Sequence, residues 1–351
     1  MAPSAAVVRE RVERVCASSA DDRALRLGVL AELGRAVPFD AYAWVLTDPE
    51  TSVGVAPLAA VPALAELPRL IRLRYLTPLN RWTTLTDPPV ARLAEATRGE
   101  LSRSLVWREL LAHHDVTDVA SLVFRDHYGC WAFLELWRTG GPTFDDADAA
   151  ALESLVSPVT TALRRAQAQT FLVAPGRNLL APGPVVLLLS PDLEVVRQTP
   201  DTRARLRLLV PRDDAGPPVP AGAYNVAAQL LAVEAGVDGN PATARVHLAG
   251  GKWVTLRAAR MDEDRDGLEH DIAVTIEASG PAERLDLFGR AFGLSEREQE
   301  LLGLLSTGSD THEIAAGMYV SAYTVQDHLK SVFTKTGTRS RRALLARALG
   351  A

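Results

Sequence analysis

Residues 318–342 read MYVSAYTVQDHLKSVFTKTGTRSRR, and the fold of the C-terminal part turns on them. Ser321 is of the type that caps a helix. Behind it Val325, Leu329, Val332 and Phe333 recur at i, i+4, i+7 and i+8, which places them on one helix face directed inward. Gly337 supplies the stop, and Met318 to Val320 form a tight turn before the cap. The other side of this helix carries Tyr323, Gln326, Asp327, Lys330, Ser331 and Thr334. That side is free of large aliphatic residues, so it can enter a polar groove without burying an apolar patch against phosphate.

Working outward, the punctuation repeats. Ser295 with Glu298 and Asp310 with Glu313 are capping boxes, each opening a helix. The first carries Leu301, Leu302, Leu304 and Leu305 and ends at Gly308, and the second is short and ends near Gly317. Ser340 caps a last helix, RRALLARAL. A short helix, a turn of about four residues and a longer helix make a helix-turn-helix. Charge is split along this tail. Residues 294–322 hold Arg297 against Glu296, Glu298, Glu300, Asp310 and Glu313. Residues 323–351 hold Lys330, Lys335, Arg339, Arg341, Arg342 and Arg347 against Asp327 alone. A polar helix face followed by a basic run predicts duplex DNA as partner.

These residues resemble the C-terminal helix-turn-helix of the LuxR family over about residues 286–351. The carrying stretches are LSEREQE, GSDTHEIA and SAYTVQDHLKSVF. The resemblance implies that Gln326, Asp327 and Lys330 enter the groove and that Thr324, Lys335 and Arg339 hold phosphates. Ser331 and Arg341 complete the expected DNA-binding set. Many members carry lysine where this chain has Gln326, and Asp327 beside it is acidic. Gln reads adenine and Asp accepts from cytosine, whereas the alternative for Asp327 is to neutralise Lys330 or Arg339.

The remainder of the 351 residues is long enough for further domains. A hydrophobic content of 47%, 23% charged residues and a net charge of −5 describe a globular chain. Cys16 and Cys130 have no metal-ligand or disulfide spacing, so a reducing cytoplasm is expected. The opening residues carry Arg9, Glu10, Arg11, Glu13 and Arg14 where a signal peptide needs an apolar core. The longest aliphatic run, VVLLL at 185–189, is far short of the ~20 residues of a membrane span, so no membrane partner is expected.

In the front half, DDRALRLGVLAELGRAV at 21–37 predicts a helix and AYAWVLT a strand. DVASLVFRD and CWAFLELWRT predict a hairpin across HYG. Phe144, an acidic first turn and a helix ending in Arg164 and Arg165 follow, with Leu152, Leu155, Val159 and Leu163 in a stripe and Pro158 predicting a kink. That stripe serves its own domain or a second chain. The segment resembles a GAF domain over about residues 20–168.

Breakers at 173–184 mark a boundary. VVLLLSPDLEVVRQT, a helical AGAYNVAAQLLAVEAGV, then ARVHLAGGKWVTLRAARM and HDIAVTIEAS look like a PAS domain, with Gly250–Gly251 as a hairpin turn. The expected architecture is therefore α+β and multidomain. Residues 1–172 form a GAF-like sensor with a long exit helix, 173–280 a PAS-like domain, and 281–351 an all-α four-helix helix-turn-helix domain.

Other signals are weaker. MDEDRDGLEHD opens like a calcium loop, but its twelfth position is Ala273. His113, His114 and Asp115 are adjacent and diverge on a helix, and Cys130 reads as a buried apolar residue. No nucleophile elbow, phosphate loop, dinucleotide fingerprint or HExxH occurs, so neither enzyme activity nor a cofactor is expected. The expectation is a one-component transcription regulator that binds double-stranded DNA, senses a small-molecule effector, forms a homodimer and has RNA polymerase as a further partner. Its dimer surfaces are expected on the exit helix and on Leu344, Leu345, Ala348 and Leu349. Trp44, Tyr75, Trp82, Trp107 and Trp131 are candidates for a pocket wall. The alternatives are an adaptor that binds an acidic protein, or an enzyme with a basic targeting tail.

Overall fold

The computed structural model describes residues 5–19, 21–62, 64–172, 185–207, 221–248, 252–261 and 271–350. The breakers at 173–184, the Gly250–Gly251 turn and the body of the acidic loop at 262–270 lie outside these residues. The chain divides into two compact units. One comprises Met1–Leu163, Pro182–Val246 and Thr255–Glu277; the other comprises Arg164–Ala181, His247–Val254 and Ala278–Ala351.

The larger unit opens with α1 (Ala5–Ser18) and α2 (Asp22–Leu33). Asp21 caps α2 by accepting the Ala24 amide, and Leu25, Val29, Leu30 and Leu33 are buried. A first sheet follows from β1 (Ala41–Thr47), β2 (Gly54–Ala60), β3 (Val90–Arg92), β4 (Val116–Asp126) and β5 (Gly129–Thr139). Between its strands lie α3 (Leu67–Leu76), α4 (Leu93–Ala96) and α5 (Leu105–Glu109). The strands run antiparallel in the order β2-β1-β5-β4-β3. Trp44 lies opposite Leu134 and stacks on Phe124 at 5.3 Å, so these fill one side of the sheet. On the other side, α3, α4 and α5 pack Leu70, Leu73, Leu93 and Val106 with Ala41, Val119 and Trp137.

α6 (Asp146–Thr170) continues through Pro158. Its stripe Leu152, Leu155, Val159 and Leu163 is buried within the chain itself. A side chain already in the core is not available to a second chain, so this face of α6 is packing surface.

The second sheet is built from β6 (Val185–Leu189), β7 (Val195–Gln198), β8 (Thr243–Leu248), β9 (Lys252–Arg260) and β10 (Ile272–Ala278), with α7 (Thr202–Arg207) and α8 (Ala221–Glu234) between β7 and β8. Its order, β7-β6-β10-β9-β8, repeats the connectivity of the first sheet.

Within this unit, buried ion pairs join residues far apart in sequence. Arg81 and Asp238 meet at 2.7 Å, with side chains 1% and 3% exposed. Thr83 and the Asn240 amide also donate to the Asp238 carboxylate, and Arg81 donates to Gln229. Burial opposes ionisation of Asp238, but the hydrogen bonds from Asn240 and Arg81 outweigh it and hold the carboxyl below its usual range. Arg245 grips both oxygens of Asp48 through Nε at 2.7 Å and Nη2 at 2.8 Å. Planar bidentate geometry of this kind is what makes a buried charge pair tolerable.

The smaller unit continues with α9 (Pro281–Ala291), α10 (Glu296–Ser306), α11 (Thr311–Gly317), α12 (Ala322–Thr336) and α13 (Arg341–Leu349). Phe171 stacks on Trp253 at 5.3 Å and meets the Phe288 ring edge-on at 5.4 Å, while Arg284 lies over it. α9 is a helix that the capping-box reading above did not place. Its own signals were Pro281 at the first turn, Glu283 accepting the Gly280 amide at 2.7 Å, and Gly293 beyond the end with φ 65°. No helix among the described residues is long and apolar enough to cross a membrane.

Candidate nucleic-acid interface

Local chemistry sets the helices of the smaller unit. Ser295 and Glu298 bond reciprocally at the start of α10, and Asp310 and Glu313 do the same at the start of α11. Both boxes lie where the sequence placed them. Ser321 accepts the Thr324 amide at 3.1 Å to open α12, and Gly337, at φ 63°, closes it. Ser340 caps α13 through the Ala343 amide.

α12 has a sharp division of faces. Val325, Leu329, Val332 and Thr336 are buried, with Ile314 of α11 and Met318 of the turn buried as well. Phe333, expected inward, is half-buried. Gln326, Asp327, Lys330 and Thr334 are exposed, and Thr324 is half-exposed with its hydroxyl 2.9 Å from that of Ser321. Lys330 meets Asp327 at 3.3 Å in an exposed pair. Such a pair contributes between about 0 and 1 kcal/mol, so an approaching phosphate competes with it readily. This is the neutralising geometry weighed for Asp327 against direct base contact.

Two residues of the expected set face elsewhere. Ser331, read as lying on the outward side, is half-buried and donates to Glu298 Oε1 at 2.6 Å. Lys335 places its ammonium 2.6 Å from Glu298 Oε2 and 3.0 Å from the Gly293 carbonyl. Both lie on the flank of α12 nearest α10, and the buried Glu298 carboxylate gathers them. Burial opposes its ionisation, but hydrogen bonds from Lys335, Ser331 and the Ser295 amide outweigh that and lower its pKa. Glu298 therefore fixes the rotation of α12 about its axis, a role beyond the capping box. The outward-face reading of Ser331 is corrected on this ground.

Arg339 and Arg342 are exposed beyond α12, and Arg341 donates to Thr311 at 2.8 Å. Arg347 donates to the Thr336 carbonyl. On α13, Leu344 and Ala348 are fully buried, leaving Leu345 and Leu349 half-exposed.

The five candidate pocket aromatics of the larger unit are packed against the chain. Trp44, Tyr75, Trp82 and Trp131 are at most 3% exposed, and Trp107 donates to the Val116 carbonyl. Trp82 stacks on Phe133 at 4.3 Å with Arg81 over it. A cleft of about 750 Å³ lies instead among Asp40, Ala41, Val61, His113, His114 and Asp115, lined by none of those rings. His114 Nε2 is 3.5 Å from Glu66. Cys130 is fully buried, and burial raises its thiol pKa.

Residues 293–348 match the GerE family model, bacterial regulatory proteins of the luxR family. This stretch is a luxR-family helix-turn-helix DNA-binding domain. No curated protein matches the chain. Among solved structures, Escherichia coli SdiA is similar over 98% of this chain and 97% of its own, with 13% identity and a TM-score of 0.39. A likeness at that level carries no weight for fold or function. What the chain comprises is two antiparallel sheets with their helices and a C-terminal luxR-family helical domain.

Proposed function

We propose that the chain is a one-component, sequence-specific transcriptional regulator. The observation that carries this is the division of α12 into a buried apolar face and an exposed face bearing Gln326, Asp327 and Lys330, inside a luxR-family domain. In this reading Gln326 and Asp327 face base edges, Lys330 and Arg339 neutralise phosphate, and Thr324 holds the backbone at the helix start. Lys335, Ser331 and Arg341 act behind the interface, setting the pose of α12 and α13. Two antiparallel sheets flanked by helices support the GAF-like and PAS-like sensor reading, with a small-molecule effector as the controlling input. Two copies on paired half-sites multiply the contacts of a small module. RNA polymerase is a further partner, and the cytoplasm is the compartment.

A salt titration of duplex binding by the full chain tests the reading. Lys330→Ala should weaken binding to all duplexes and reduce the slope of log affinity against log salt by about 1. Unchanged affinity and slope refute it.

A further inference from the structure

The turn between α11 and α12 contains an aromatic residue that folding does not account for. Tyr319 sits at φ 56°, in the left-handed region where a Cβ is disfavoured and glycine or asparagine is at ease. The residue is 95% exposed, so its ring draws nothing from the core. Tyr323, at the second position of α12, is 74% exposed. Among the described residues these are the two most exposed large hydrophobic side chains. A residue held in this region, with a ring that gains nothing from the core, points to a role outside folding. The two positions flank the Ser321 cap at the N-terminal end of the helix assigned above to the groove. Ala316 and Gly317, just before the turn, are small and exposed, which leaves room for a bulky ligand to approach.

We infer that Tyr319 and Tyr323 hold the sugar–phosphate backbone of the bound duplex, each hydroxyl donating to a phosphodiester oxygen and each ring lying on deoxyribose. The inference rests on the reading of α12 as the groove helix. It has a signature that a cationic contact lacks. A neutral phenol displaces no condensed counterion, so its loss lowers affinity without altering the salt slope. A backbone contact also carries no base information, so selected and scrambled duplexes weaken together.

The test is fluorescence anisotropy of the full chain on two labelled duplexes, one selected from random-sequence DNA and one scrambled from it. Tyr319→Gly removes the ring and relieves the left-handed Cβ at once. It should therefore keep the fold, checked by circular dichroism, and weaken both duplexes roughly fivefold to tenfold at unchanged slope. Tyr319→Asn, also at ease in that conformation, should follow it, and Tyr323→Phe should weaken both duplexes about threefold. Wild-type affinity in Tyr319→Gly overturns the inference. A loss confined to the selected duplex, or a flattened slope, does so as well. Intact DNA binding with lost transcription by purified polymerase would assign the ring to a protein instead, and equally overturn it. Lys330→Ala separates the two readings: if it also binds normally, the groove assignment itself has failed.

Discussion

Glu298 is the residue on which the pose of α12 depends, and replacing it by alanine should loosen that helix without touching any DNA-facing side chain. Three donors lose their acceptor. The Ser295 amide, 2.7 Å from Oε2, is the return half of a capping box, whose loss costs about 1 kcal/mol. The Ser331 hydroxyl, 2.6 Å from Oε1, is half-buried and bonds to a charge, for about 1.5 kcal/mol. The Lys335 side chain is 36% exposed and can turn to water, so the ion pair adds only about 0.5 kcal/mol after screening. The sum is about 3 kcal/mol. Hydrogen exchange of the full chain, read by mass spectrometry on α10 and α12 peptides, should show protection falling by about a hundredfold. Peptides from the two sheets should be unaffected. Lys335→Ala should lower protection only a few-fold, and a double-mutant cycle should return a coupling of about 0.5 kcal/mol. Protection of α12 within about fivefold of the wild type in Glu298→Ala would refute the reasoning, because the three bonds would then contribute less than one ordinary hydrogen bond.

Acid reports on the same carboxylate. Its folded pKa is depressed, so its contribution is complete above the unfolded carboxyl value of about 4.3 and is lost as pH falls below that toward the folded pKa. Exchange protection of α12, corrected for intrinsic rates, should be flat through neutral pH and decline only in that acid window. In the larger unit, Asp238→Ala leaves Arg81 buried without its partner and should destabilise the unit by about 3 kcal/mol, measured by urea denaturation followed through tryptophan fluorescence. Wild-type stability in Asp238→Asn would show that the charge contributes nothing beyond the hydrogen bonds, whereas a loss equal to that of Asp238→Ala would assign the effect to the charge. Gln326→Ala should relax base preference at one position of a selected duplex by about 1–3 kcal/mol, leaving scrambled DNA unaffected, as scored by competition binding.

The helical tail was legible in the sequence to within a residue or two because its signals are local. A capping box spans four residues, and the turn before α12 and the glycine after it are short-range features. Strands β1, β4 and β5 were legible for the same reason, through β-rich composition and a tight connection. α9 was passed over because its N-cap is a glycine, which offers no side-chain signal. Helical periodicity also could not tell the flank of α12 from its outer face. Ser331 sits at that margin, and only the position of Glu298 on a different helix turns it inward.

The aromatic residues of the larger unit show the limit from the other side. Composition named Trp44, Tyr75, Trp82 and Trp131 as large apolar groups, but a ring that lines a cavity and a ring that fills one have the same local sequence. Linear order determined the helix caps, the alternation of the strands and the split of charge across the tail, since each depends on neighbours within a turn or a pleat. The pairing of Arg81 with Asp238, of Arg245 with Asp48, and of Lys335 with Glu298 was settled only when the elements packed. A charge finds its partner by shape and desolvation across the closed interior, and no periodicity along the chain encodes that meeting.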